Sequence, residues 1–400
     1  MLFSCSNNQS EQKAYNKKFE RFKSEEIGAN TVQELQVDND NHIILKLDEK
    51  FENTLALSEV IDSVWYLKLQ QDKDFPIGQI TNLIHHQDKF FIFDQTTKSV
   101  FIYNESGALE NLINSVGKGP GEYIMPLAFT VDKFTNEIIL CDDRMSKAMY
   151  YDLKGNFLRE IPIMYRFSQM EVLNDSSYVL HTHKRYNDHI PEIENYQIVI
   201  VDKDWKLKHK GKRYNLKQRR ANIIGNTNFT NNGQLLYFPP LGNDIYAVNE
   251  GKLHLSYNLD FGAKQLPENF DVDISIDDFL KLYHNNPDYV YMMGDFQDME
   301  DVLFLKLTQN KTMIYAFFSK SSNQLIGGKQ IFNDMQSFGF SPPIGSIANN
   351  TLISEIPPYV LVQNKRELKN TVTRKDMLEI INTVKRNDNP ILCFYKLRAF

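Results

Sequence analysis

Two histidines set two apart in the run YVLHTHKRY, His181 and His183, stand on one side of an extended chain, because side chains alternate along a strand. With Asp188, His189 and Glu192 just downstream they supply the nitrogen and oxygen donors that a divalent cation takes. Spacing fixes no third ligand, so a solvated strand face is the expected reading of the pair. His85 and His86 are adjacent and face opposite ways. The acidic run DVDISIDD (Asp271–Asp278) lacks the glycine and the closing glutamate of an EF-hand loop. The expectation is no cofactor, with calcium or zinc the only ions these donors would suit. Neither G-x-S-x-G nor H-E-x-x-H occurs. An enzyme built on this chain would have to assemble its site from single residues on separate segments.

Charge narrows the partners. Lys plus Arg number 45 against 51 Asp plus Glu, a net charge of −6. Nucleic-acid affinity comes mainly from cations on phosphates, so a nucleic-acid partner is not expected. The basic run Lys206–Arg220 alternates lysines along a strand, the pattern that guards an exposed sheet edge. Cys141 and Cys393 lie in apolar runs and read as small core residues. Cys5 ends LFSC and precedes the polar SNNQSEQK, which resembles a bacterial lipoprotein cleavage box, although no charged and apolar leader comes before it. A membrane would be reached only through that anchor.

These residues need a scaffold, and the scaffold is a repeat. FFIFDQTTKSVFIYNESGALENLI (Phe90–Ile113) aligns with IILCDDRMSKAMYYDLKGNFLREI (Ile138–Ile161). Asp94 falls on Asp142, Tyr103 on Tyr151, Asn104 on Asp152 and Gly107 on Gly155, each 48 positions apart. The punctuation returns at Asp202 and Asn249, and a degenerate copy runs from Val302 to Gly328. Each copy reads strand, turn, strand, then Asn or Asp followed by Gly, then strand. Asp and Asn bond their own following backbone in such turns, and Gly supplies positive φ. Four antiparallel strands repeating at this period mark β-propeller blades, which bury both faces only against neighbours. The expected fold is all-β, a single six-bladed propeller with blades near 79–116, 126–162, 166–213, 226–262 and 289–332. The sixth takes one strand from the N-terminal side (Ser63–Gln70) and three from the C-terminal end, which closes the ring. Ser275–Asn285 and Arg374–Arg386 read as two helical insertions. Residues 1–42 suit a polar tether, anchored at Cys5, and 43–400 the propeller.

GKGPGEY, the blade punctuation, the ending NDNPILCFYKL and the LFSC start resemble the six-bladed, NHL-like β-propeller lipoproteins of Gram-negative gut bacteria. That resemblance covers the chain from about Ser58 onward. It implies an exported, envelope-anchored propeller, periplasmic or attached to the outer membrane, and says little about chemistry.

Within the corner between blades one and two, Gly119-Pro120-Gly121-Glu122 fits a type II turn, with Pro second and Gly third where φ must be positive. A P-loop would need a Ser or Thr after its lysine, and a dinucleotide fingerprint would need a βαβ context. In a propeller such corners share a face with the turns between second and third strands. On that face the sequence places Glu122, Tyr123, Arg144, Tyr165, Arg166, Arg185, Tyr186 and Asn228. Aromatics and arginines together suit sugars, peptides and carboxylates. The expected function is a monomeric, non-enzymatic binding or scaffolding propeller for a glycan, peptide or envelope protein. A channel-metal hydrolase or lyase on the same ring is the alternative.

Overall fold

The computed structural model describes residues 19, 23–47, 54–182, 185, 187–214, 227–267, 281, 284–335, 339–372, 374–398 and 400. The fold is a six-bladed β-propeller of small, mainly antiparallel sheets, with a few short helices. The chain divides into two compact units, one of residues 1–46, 118–150 and 157–294, the other of 47–117, 151–156 and 295–400.

The first unit carries blades two, three and four. Blade two runs through Pro126–Asp132, Glu137–Asp142, Lys147–Asp152 and Phe157–Pro162. Blade three runs through Gln169–Val172, Ser177–His181, Tyr196–Asp202 and Leu207–Arg213. Blade four runs through Phe229–Asn231, Leu235–Tyr237, Asp244–Asn249 and Lys252–Asp260. Middle strands such as Lys147–Asp152 are buried on both sides rather than alternating. The reason is stacking: Ile139 and Tyr150 of blade two share one cluster with Tyr178 and Val199 of blade three. The opposite face of blade three, with Val179 and Ile200, packs on Phe229 and Tyr246 of blade four. Fully burying each such side chain contributes about 1.5–3 kcal/mol.

The second unit repeats the scheme. Blade five contains Gln297–Asp298, Val302–Gln309, Thr312–Ser319 and Leu325–Gly328. Blade six orders Pro343–Ile347, Thr351–Ile356, Ile391–Leu397 and then Ile61–Lys68. Blade one contains Asn82–His86, Lys89–Asp94, Ser99–Asn104 and Leu109–Ile113. The closing strand pairs antiparallel with Ile391–Leu397 from Lys68 opposite Ile391 to Ile61 opposite Leu397, and Trp65 stacks on Phe394 at 5.2 Å. The mixed origin of blade six is therefore as its sequence suggests.

The third-to-fourth-strand turns share one design. Asn104, Asp152 and Asp202 each accept two backbone N–H groups through Oδ1, from residues two and four further on. The residue three along adopts positive φ: Gly107 at 78°, Gly155 at 84° and, in the third copy, Trp205 at 62°. A bulky residue is strained in that region. Trp205 holds it because its ring is buried among Tyr165, Phe167 and Tyr178, and its Nε1–H donates to the Tyr150 hydroxyl at 2.8 Å.

The segment expected to be a tether behaves otherwise where it is described. Gln33–Glu34 adds a parallel strand to Leu207–Arg213, and Gln36–Asp38 and Ile43–Lys46 do the same along Lys252–Asp260. The edge that its lysines were expected to guard is thus covered. Lys210 and Lys212 lie over the rings of Tyr196 and Tyr246 instead. Residues 1–18, with Cys5, lie outside the described residues.

The expected helix at 374–386 is observed as Lys375–Thr383, burying Met377, Ile380 and Ile381. Two further helices, Pro358–Gln363 and Lys365–Thr371, precede it. The other expected helix falls on 275–285, most of which is outside the described residues.

Deleting residues 62–70 removes most of the closing strand and strips a partner from Ile391–Leu397. The truncated protein should aggregate or lose its cooperative melt, as an opened sheet edge does; cooperative melting at the parent temperature would contradict this closure. The type II turn is present, with Glu122 N–H donating to the Gly119 carbonyl at 3.1 Å and Gly121 at φ 72°. A Cβ on Gly121 would also stand 3.0 Å from the Phe157 ring. Gly121→Val should lower stability by about 1–3 kcal/mol from backbone strain alone, measured by denaturant unfolding, and an unchanged midpoint would contradict the turn.

Candidate functional site

The corner that precedes blade two is clamped by two carboxylates. Asp142, at the end of the second strand, accepts through Oδ2 from the N–H groups of Ile124 (2.5 Å) and Met125 (2.7 Å), and through Oδ1 from Met145 (2.7 Å). Glu160 accepts from Gly121 N–H at 2.9 Å and from the Lys147 ammonium at 2.7 Å. Glu122 turns back onto its own loop, accepting from Gly119 N–H at 2.6 Å. The corner is built for rigidity, and Glu122 is engaged within it.

Several residues placed on the open face by the sequence are in the core. Tyr123 is buried, and so is Tyr165, whose hydroxyl donates to the Trp205 carbonyl at 2.8 Å. Asn228 is fully buried, its amide donating to the carbonyls of Phe238 and Met293. In each case the strand or corner geometry turns the side chain inward, and the polar ends of Tyr165 and Asn228 find backbone there. His181 likewise points into the core, edge-on to Phe229 and Tyr237. His189 stacks on Phe19 and donates through Nε2 to the Met164 carbonyl at 2.6 Å. Tyr186 and His183 lie outside the described residues. Among the described residues no three His, Cys, Asp or Glu side chains gather as a metal site would require.

One of the arginines is anchored by a carboxylate. Arg166 donates to Asp143 through two nitrogens, Nε to Oδ1 at 2.9 Å and Nη2 to Oδ2 at 2.5 Å, a fork-on-carboxylate pair with both side chains mostly buried. Asn187 bridges the next loop to this point, its Oδ1 accepting from Arg166 N–H at 2.7 Å and its Nδ2 donating to the Arg166 carbonyl at 3.0 Å. That bridge brings Arg185 close enough to feel both charges: burial lowers its pKa, Asp143 opposes that shift and Arg166 adds to it. Arg144 follows Asp143 in the same turn and is exposed. Beside Asp143 a narrow cleft of about 10 Å³, room for about one water, is lined also by Asp142, Ser146, Cys141, Leu127 and Phe167. Sequence reasoning named the arginines but missed Asp143 and Asn187. The doubled aspartate of CDDR was the available signal, since one carboxylate serves the corner and its neighbour is left for side chains.

An acidic group is perturbed nearby in the chain. Glu171 on the first strand of blade three has its pKa pushed up to about 7 by burial, with Lys133 and a hydrogen bond from Thr130 opposing the shift.

Fold and site together define a six-bladed β-propeller bearing a mostly buried arginine–carboxylate pair, Arg166 on Asp143. Over residues 42–396 the chain matches the family described as a domain of unknown function, DUF4934, and it belongs to that family. No curated protein matches the chain. Among solved structures, it is similar to a "Putative exported protein" from Bacteroides fragilis NCTC 9343, at 19% identity and a TM-score of 0.71, over 89% of this chain and 99% of that one. A DUF4221 family member from Bacteroides vulgatus ATCC 8482 matches at 12% identity and a TM-score of 0.49, over 85% and 97%. The first likeness shows the fold. No helix among the described residues is long and apolar enough to cross a membrane.

The sign of the Glu171 effect is fixed. A folded-state pKa above the unfolded value means that the folded state holds its proton longer, so stability falls as pH rises from about 4.5 to about 7. Glu171→Gln should flatten that part of the melting-temperature profile, and gain on the parent protein at pH 8 relative to pH 4. Parallel profiles for parent and variant would contradict the assignment.

Proposed function

We propose that this chain is an exported, non-enzymatic binding or scaffolding propeller of the cell envelope, with a glycan, peptide or protein partner held on the arginine-bearing loops. The observation that carries the reading is the Arg166–Asp143 fork, held from the next loop by Asn187, with Arg144 exposed in the same turn as Asp143. Arginines on loops held by a rigid sheet are suited to anionic groups of a ligand. The likeness to a protein described as exported supports the location, and attachment through Cys5 would follow the resemblance of LFSC to a cleavage box.

Because the Arg166–Asp143 pair is mostly buried, truncating Arg166 to alanine would strand a carboxylate, at about 3–5 kcal/mol. Arg166→Gln retains a donor and is the better probe. The protein, screened on arrays of acidic and neutral glycans and peptides, should bind a subset of acidic members. Arg144→Ala combined with Arg166→Gln should lower that signal at least tenfold with a near-parent melting temperature. Equal binding by parent and double variant would show that the partner sits elsewhere.

A further inference from the structure

We propose that the helical insertion of blade six is a docking surface for a membrane that carries anionic lipids. The surface belongs to the second unit and is independent of the arginine loops of the first. Residues 357–390, between strands Thr351–Ile356 and Ile391–Leu397, hold seven Lys and Arg against four Asp and Glu, in a chain whose net charge is −6. Packing decides where those charges go. Leu368 of helix Lys365–Thr371 and Met377, Ile380 and Ile381 of helix Lys375–Thr383 are buried in one cluster with Val64 and Cys393 of blade six. Lys365 donates through Nζ to the Asn382 carbonyl at 2.9 Å, which ties the start of the first helix to the end of the second and makes the pair antiparallel. With about 3.6 residues per turn, Arg366 and Lys369 project from the side of their helix away from Leu368. Lys385 and Arg386 follow the end of the second helix, at the same end of the pair as Arg366. All four are exposed, as is Lys375.

The acids of the insertion are mostly spent. Asp376 accepts from Arg374 through both oxygens, from Nε at 3.0 Å and Nη2 at 2.7 Å, and Asp388 takes the Lys68 ammonium at 3.0 Å. Glu379 stands one helical turn after Lys375 and offsets it. Of the four carboxylates, that leaves Glu367 beside Arg366, Lys369, Lys385 and Arg386. These four cations form no ion pair among the described residues. Recognition of one phosphate or carboxylate by its shape uses a guanidinium fork, and Arg374, which makes such a fork here, already sits on Asp376. Cations on long side chains without fixed partners suit a surface of many mobile phosphates. Attraction to an anionic bilayer needs no fixed geometry and contributes about fivefold in affinity for each cation near the surface. Tyr359, exposed on the preceding helix Pro358–Gln363, adds an aromatic of the kind that sits at headgroup level.

The test is co-sedimentation of the full chain with vesicles of phosphatidylcholine alone and of phosphatidylcholine mixed equally with phosphatidylglycerol. The protein should bind the second and not the first, and should lose that binding at high salt. Lys369→Gln, Lys385→Gln and Arg386→Gln combined should weaken binding by about a hundredfold, with a near-parent melting temperature because all three side chains are exposed. A control of equal charge on exposed lysines elsewhere, Lys73→Gln, Lys118→Gln and Lys206→Gln, should bind as the parent does. Silence toward the anionic vesicles, or equal loss in the two triple variants, would overturn the surface. Vesicle binding kept in the first variant, with a lowered melting temperature, would also overturn it and make Lys385 and Arg386 partners of the helix C-terminus. Tighter binding to polyglutamate or heparin than to vesicles would overturn the lipid assignment. Arg144→Ala with Arg166→Gln should leave vesicle binding unchanged, and its loss there would move the anionic surface to the arginine loops.

Discussion

The fold depends on one interaction made at the end of the second strand of a blade. Asp94 and Asp142 are buried there, and each spends its carboxylate on main-chain N–H groups. Asp94 accepts from Gly78 and Gln79 with one oxygen and from Thr96 and Thr97 with the other. Asp142 does the same for Ile124, Met125 and Met145. One oxygen seats the chain as it enters the blade, and the other shapes the turn that leaves the second strand. Burying an unpaired carboxylate would be costly, and charge-assisted bonds to backbone offset that cost. Entry and turn are thereby fixed relative to one atom group. Elsewhere a neutral amide takes the part: Asn187 grips Arg166, and Asn389 accepts from Ile77 N–H while donating to Gln70 and Tyr103.

This explains what was legible in the sequence. The 48-residue offset that aligns Asp94 with Asp142 and Asn104 with Asp152 is visible because the same backbone groups must be satisfied in each copy. The parallel strands at Gln33–Glu34 and Gln36–Asp38 were not legible, since they are two or three residues long and mostly exposed. Nothing in their polarity separates a strand laid on an outer edge from a loose tail. The short helices before Lys375 were missed for a similar reason, because the turns burying Pro358, Leu361 and Leu368 offer too few apolar positions to show a period.

The candidate site was legible in part, for a different reason. Residue type identifies what can bind, but facing decides what is accessible. Tyr123, Tyr165 and Asn228 have ligand-binding chemistry and core-facing geometry, and no periodicity applies in corners to tell the two apart. Arginine is the exception, because its long charged side chain is rarely buried without a partner. Arg166 is mostly drawn in, and the carboxylate that receives it, Asp143, had no mark in the sequence beyond standing next to Asp142.

The strap along blades three and four has a mechanical meaning. Leu35 N–H donates to the Lys210 carbonyl and Gln36 N–H to the Gly251 carbonyl, while Leu45 is buried beside strand Lys252–Asp260. Tension entering from the chain ahead of Gln33 and directed along the strands would load these bonds together, in shear, instead of opening them one at a time. Between Gln33 and Lys46 the pull would be spread over the outer strands of two blades. A propeller tied down by its leading segment would then carry drag and collision on the rim of blades three and four.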